Sequence, residues 1–424
     1  MSTPDGKKVA LVLSGGGANG AYEVGVLKAL LAGKSPATDY QPLVPDIVSG
    51  TSIGAFNAAF LVSQWGEYGA AAAGNLETFW AERLAGSGIR PNGVFRVRGN
   101  VLDLADPYAY LPNPVLPLRR LLADGGFLAW EGLQRVVHLV AGSEGPIDRR
   151  LAALVDLSTF ISLEPLEETL LALDYRAIRQ SPLWLKVLST NWADGTLRVF
   201  WNHDMTDSFG PLALRASAAV PGIFPPAVLG AQTFVDGSVL LNAPLAPAIH
   251  AGAEVLHVVY LDPDIRNIPL DRLPQSFGTF TRMLQIGWAA AYNDDIGDAA
   301  RINRVLAAMS RARTALRVDE AGGELLLDIA EARPAAGRPA LAPLEIRRYH
   351  PRDSLPGDLG FLNFDRDRIE ELIERGFDDA VNHDSRQSGD VFPTPERAAA
   401  ASQGDPIRQR FAAAGASSAP PARS

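Results

Sequence analysis

Ser14-Gly15-Gly16-Gly17-Ala18-Asn19-Gly20-Ala21-Tyr22-Glu23 follows the apolar run Lys8–Leu13 (KVALVL) and leads into the apolar-periodic segment Glu23–Leu31. A strand signal, a glycine turn and a helix signal in that order describe the first unit of a parallel α/β sheet. So much glycine at the junction leaves main-chain N–H groups bare and available to something negative. Two ligands fit that description: a bound phosphate, or an oxygen that acquires charge only during a reaction.

Gly15, Gly17 and Gly20 satisfy G-x-G-x-x-G, so a nucleotide phosphate is tested first. That fold requires a second strand ending in an acidic residue about twenty positions further on. Asp39 stands at the right distance, but it is flanked by SPAT and YQPLVP, and Asp46 precedes a strand instead of ending it. No Gly-Lys-Ser/Thr closes the loop, so the Walker pattern is absent as well.

The second turn, Gly50-Thr51-Ser52-Ile53-Gly54, comes after the short apolar run Asp46–Ser49 and before the helical run Ala55–Val62. G-x-S-x-G arises by chance in a chain of this length roughly once in seven, so its context decides. Between strand and helix, the serine sits on a sharp turn with its hydroxyl exposed over a helix N-terminus. A plain helix cap is the competing role for Ser52. Successive parallel strands end at one edge of a sheet, which brings both turns together. The amides of Gly15, Gly16, Gly17 and Ala18, with that of Ile53, can then converge on an oxyanion beside Ser52, while Gly50, Gly54, Asn19 and Gly20 shape the turns. The base stays open at this point: His250, His257, His350 and His383 lie downstream as an α/β-hydrolase triad would need, yet Ser52 follows only the second strand.

Composition narrows the remaining classes. The 424 residues are 47% apolar and 21% charged, enough for a large core, and the net charge of −9 without a basic run excludes a nucleic-acid partner. The chain has no cysteine, which removes disulfides and thiolate chemistry. No metal motif is present, Asp294, Asp295 and Asp298 lack calcium-loop spacing, and no cofactor is expected. With no signal-peptide core and no apolar stretch of membrane length, a cytoplasmic protein is expected, with peripheral membrane contact left open. Arg301, Arg304, Arg311, Arg313 and Arg317 read as a solvated helix face, with an anionic lipid surface as the second reading.

The αβ rhythm pauses over about 74–156, an irregular stretch rich in Pro, Gly and aromatics that reads as an insertion, and resumes at Trp184–Thr190. Strands are expected at Thr196–Trp201, Gln232–Val235, Glu254–Leu261, Glu324–Ile329 and Leu344–Tyr349. Helices are expected at Pro211–Ala218, Pro244–Gly252, Phe280–Leu316 and Asp365–Val381. One domain over 8–384 results, followed by a tail, 385–424, too polar and small-residue-rich to fold.

Together, Gly15–Gly20, Gly50–Gly54 and the later Asp236-Gly237-Ser238 resemble the three motifs of the patatin-like phospholipase family. The stretch Ala213–Leu245, with Pro221, Phe224, Pro225, Pro226, Asn242 and Pro244, is similar to the family's pattern throughout. The resemblance implies a three-layer α/β/α sandwich around a mainly parallel sheet and a Ser–Asp dyad without histidine. Ser52 would be the nucleophile and Asp236 the base, with Gly237 supporting the turn. It implies a lipid acyl hydrolase cleaving carboxylic esters. A non-catalytic nucleotide- or lipid-binding protein using the first turn is the alternative. Two positions depart from the family pattern: Asn19 stands where an Arg or Lys is usual, and Ser238 where Gly or Ala is.

Overall fold

The run KVALVL forms β1 (Lys8–Leu13), and its alternation divides the interior in two. Val9, Leu11 and Leu13 join one apolar cluster, while Ala10 and Val12 join another on the opposite face, so helices cover both sides. The computed structural model describes residues 6–87, 92–98, 122–125, 161–261, 276–316, 342–352, 355 and 360–394. The expected strand at Glu324–Ile329, most of the 74–156 insertion and the chain beyond 394 lie outside them.

The remaining strands are β2 (Ile47–Thr51), β3 (Arg96–Val97), β4 (Ile161–Ser162), β5 (Trp184–Asn191), β6 (Leu197–Trp201), β7 (Ala227–Leu229), β8 (Gln232–Asp236), β9 (Ala253–Val259) and β10 (Glu345–Tyr349). Their main sheet runs β10-β9-β1-β2-β5-β8-β7 with β6 also on β5, and β3 pairs β4 separately. From β10 to β5 the strands are parallel, whereas β6 and β8 pair β5 antiparallel and β7 pairs β8 antiparallel. The result is a three-layer α/β/α sandwich around a mainly parallel sheet.

The helices are α1 (Gly20–Leu31), α2 (Ile53–Tyr68), α3 (Ala72–Phe79), α4 (Glu164–Leu171), α5 (Tyr175–Gln180), α6 (Gly210–Ser217), α7 (Leu245–His250), α8 (Ser276–Leu316), α9 (Arg366–Val381) and α10 (Ser385–Ser388). α1 is mostly apolar because it is enclosed on nearly every side, with Lys28 the one residue not buried. The sheet lies under it and α9 over it, close enough that Gly25 and Gly376 meet the main chain of the opposing helix. α9 is amphipathic, burying Ile369, Leu372 and Ile373. On the other face, α7 and the Tyr292–Ala299 part of α8 cover the sheet. Among the described residues no helix is long and apolar enough to cross a membrane.

Two boundaries differ from the composition reading. Residues 74–84 belong to the core, since Leu76 and Trp80 are fully buried and the Trp80 indole donates to Asn57 Oδ1 at 2.9 Å. At the other end, order persists through 394. Val391 and Ile346 exchange main-chain hydrogen bonds of 2.8 and 2.9 Å, and buried Asp390 holds His383 Nε2 at 2.9 Å and the Arg348 amide at 2.8 Å. Low local hydrophobicity did not reveal this segment because main-chain pairing and buried polar side chains do much of the holding.

Candidate active site

One edge of β5 brings the second and third motifs together. β6 occupies positions 186–190 of β5, overlapping the stretches paired with β2 (184–188) and with β8 (189–191). A strand has only two edges, so β2 and β8 must share the one that β6 leaves free. They run in opposite directions and meet end to end, Thr51 opposite Leu188 and Asp236 opposite Ser189. Ser52 leaves β2 at that junction.

Ser52 has φ of 55°, one of three non-glycine residues with positive φ among those described. This costs conformational energy, and the surroundings hold it: the Ser52 amide donates to Ser217 Oγ at 3.0 Å, and α2 begins at the next residue. The turn closes tightly against the first motif, so a Cβ on Gly54 would lie 2.5 Å from the Ser14 carbonyl oxygen. One on Gly15 would lie 2.7 Å from Asn242 Oδ1 and 3.0 Å from Ser52 Cβ. Gly20 packs on Ile53 in the same way, and the motif glycines Gly50 and Gly237 abut main chain, at Gly54 and Leu188 respectively.

The third segment laces these turns together. Thr51 Oγ1 donates to the Leu241 carbonyl at 3.1 Å, Ser189 Oγ to that of Val235 at 2.8 Å, and the Trp288 indole to that of Ser238 at 2.9 Å. Asn242 binds the Gly15 amide through Oδ1 at 3.0 Å and its own carbonyl at 3.3 Å. Gly15 is therefore corrected from donor to spacer, because its N–H is already committed. Ala18 is fully buried in the short turn Gly17–Asn19 and is not part of the cavity wall, whereas Gly16, Gly17 and Ile53 are. Ile53 opens α2, where the first N–H groups have no intrahelical acceptor.

Asp236 is fully buried, and burial pushes its carboxyl up to about 6. The Ser238 amide, which donates to Oδ1 at 2.8 Å, and the Ser52 and Ser238 hydroxyls act in the opposite sense. The Ser52 hydroxyl does so without a fully aligned bond, because Oδ2 has no hydrogen-bond partner among the described residues. One carboxylate oxygen is thus fixed and the other, enclosed, is left to accept a proton.

Ser52 opens on a cleft that reaches solvent. Its walls include Phe56, Leu166, Leu170, Val220, Phe224 and Phe364, and no Lys, Arg or His lines it among the described residues. No described histidine lines it. His257 is buried against Tyr349 OH at 2.9 Å and pushed down to about 3 by burial, His383 is bound to Asp390, and His203 lies beside Asp204; His138 is outside the described residues.

Sequence reasoning missed four supporting residues: Ser217, Trp288, the Asn242 clasp and Glu23. Glu23 is completely buried behind the first turn, with Oε2 receiving Asn57 Nδ2 at 2.9 Å, and burial raises its carboxyl well above the ordinary range. An acidic residue amid the apolar positions of this helix was the available signal.

Comparison with known proteins gives the class to which this architecture belongs. The model of the patatin-like phospholipase family matches residues 11–249, more than half of the chain, and the chain belongs to that family. Lysophospholipase nte1 of Aspergillus terreus (strain NIH 2624 / FGSC A1156) is 52% identical over 54 residues, 13% of this chain and 3% of that protein. The crystal structure of VipD from Legionella pneumophila aligns with a TM-score of 0.32 and 14% identity, covering 92% of this chain and 73% of that one.

Proposed function

We propose that this protein cleaves carboxylic esters of lipids through an acyl-enzyme on Ser52, with Asp236 as the base. The observation that carries the reading is the pairing of a strained serine at a cavity mouth with a buried carboxylate whose Oδ2 is unpartnered. Near neutral pH a carboxyl with a pKa of about 6 is mostly ionised yet more basic than a solvated one.

In the first half-reaction Ser52 Oγ attacks the ester carbonyl carbon as its proton passes to Asp236 Oδ2. The amides of Gly16, Gly17 and Ile53 take the oxyanion. Collapse breaks the bond to the alcohol oxygen, which leaves with the proton held by Asp236. Water then repeats the sequence on the acyl-serine, giving its proton to Asp236 and releasing the carboxylic acid as Ser52 recovers a proton. A preorganised amide donor contributes about 3–4 kcal/mol of barrier lowering in such reactions.

The apolar walls supply a place for an acyl chain. Val239 and Leu240, directly after the cavity-lining Ser238, and Met283 and Ile286, on the helix bearing the cavity-lining Trp288, are exposed apolar side chains suited to contact with a lipid phase. A phosphate cradle is disfavoured because the first turn faces this apolar cavity and no basic side chain lines it among the described residues. We place the catalytic unit within 8–384.

A fluorophosphonate probe is expected to label Ser52 in the wild type and not in Ser52→Ala. Lipid mixtures incubated with the two proteins in parallel should release fatty acid only with the wild type. Hydrolysis that survives Ser52→Ala would overturn the assignment.

A further inference from the structure

The first turn carries Asn19, a neutral side chain, yet a cation reaches it from the far end of the chain. Arg368 Nη2, on α9, donates to Asn19 Oδ1 at 2.9 Å across 349 positions of sequence. The guanidinium is half-buried, its Nε is enclosed without a partner, and it forms no ion pair with a carboxylate among the described residues. An arginine drawn partly from water, with Glu371 nearby but in no direct ion pair, is costly unless its position serves another group.

What it holds is the main chain of the turn. The Asn19 amide donates to the Gly16 carbonyl at 3.2 Å. Within one planar peptide the C=O and N–H point in opposite directions, so tying the Gly16 oxygen toward Asn19 turns the Gly17 N–H away from it. Gly17 itself has φ of 58°, and both Gly16 and Gly17 wall the cavity beside Ser52. The same guanidinium packs on Gly360, where a Cβ would stand 2.8 Å from Nη2. Gly360 opens the turn Gly360–Leu362, whose Phe361 carbonyl lies against Gly17 and whose Phe361 and Leu362 line the cavity. One side chain braces two adjoining walls of the site.

We propose that Arg368 is a positioning residue for the oxyanion turn, acting through Asn19. The inference rests on the acyl-hydrolase reading above. It extends the catalytic unit to α9, outside the matched family span of 11–249. Nothing in that span reveals the dependence.

The test uses the whole chain and a short nitrophenyl ester, with active sites counted by fluorophosphonate labelling. Wild-type turnover that depends on Ser52 establishes the underlying reading first; its failure would be a failure of that reading and not of the brace. Arg368→Met and Asn19→Ala are each expected to lower kcat per labelled site by about 10-fold while KM stays within about twofold. The double variant should lose no more than the worse single variant, because both act through one bond. Thermal unfolding of each variant separates misfolding from mispositioning. Unchanged kcat per labelled site in either single variant, with only Tm lowered, assigns the pair a purely structural role and overturns the proposal, as do losses that multiply in the double variant.

Discussion

Thr51 and Asp236 face consecutive residues on a single edge of β5, Leu188 and Ser189, although 185 positions separate them in sequence. That relationship fixes the distance between the two turns through main-chain hydrogen bonds instead of through flexible side chains. A site built this way is preorganised by the sheet, and its properties follow from burial and close approach.

The first consequence is a pH profile. Asp236 must be ionised to accept the Ser52 proton, so kcat/KM should rise through a midpoint near 6, where burial sets its pKa, and then level off. Stability should run in the opposite direction: a carboxyl whose folded pKa is raised keeps its proton longer in the native state, so stability falls as pH rises from its unfolded value toward 6. Asp236→Asn has no such titration. Its Tm should approach that of the wild type near pH 4 and exceed it above pH 7, with turnover abolished throughout; matched melting curves at the two pH values check this.

Gly15→Ala should abolish turnover through crowding alone. The added methyl would press on Asn242 Oδ1 at 2.7 Å and on Ser52 Cβ at 3.0 Å, displacing the clasp and the nucleophile together. We expect kcat/KM to fall by about 100-fold or more, and far-UV circular dichroism to stay native. A fully active variant would mean the two turns are less closely seated than described.

Glu23 separates charge from shape. Its raised pKa means that the native state favours the neutral acid, so wild-type stability should decline as pH rises above the unfolded carboxylate range and continue to decline until the folded pKa is passed. Glu23→Gln retains a polar group facing Asn57 without the titration and should therefore outlast the wild type increasingly as pH rises above the unfolded carboxylate range. Glu23→Ala, which removes one of the acceptors of the buried Asn57 Nδ2 and leaves a void beside it, should be less stable at every pH. Urea denaturation across the pH range measures all three.

Val220 lines the cavity close to the end of α6, so Val220→Phe should shorten the space open to an acyl chain. Hydrolysis of an eight-carbon ester should drop about tenfold relative to a two-carbon ester, with fluorophosphonate labelling of Ser52 retained. Equal loss on both esters would show that the chain lies elsewhere.

The two glycine turns and the strands that lead into them were legible because each leaves a local mark: an apolar run, a cluster of glycine, then a helical period. Their adjacency followed from parallel strand order, and β1 and β2 do pair in register from Ala10 with Ile47 to Leu13 with Gly50. The antiparallel placement of β8 was not legible, since nothing within QTFVD records which edge of which strand receives it. The Gly15 amide illustrates the same limit. Its exposure in the sequence suggested a donor, but its acceptor, Asn242, lies 227 positions away and only the folded chain shows that the group is occupied. Arg368 reads locally as one more charge on a helix face, and its contact with Asn19 is likewise a property of tertiary structure alone.

The pairing of Val391 with Ile346 has a further consequence for how copies of this chain behave together. Among the described residues β10 is the outermost strand on its side of the sheet, and an open border of main-chain donors and acceptors is a template for recruiting another molecule. The polypeptide seals that border at its middle with its own late residues. Shortening it at 384 would convert a boundary that ends the sheet into one that can continue it, so the trimmed protein would be distinguished by self-association before any loss of the reacting groups.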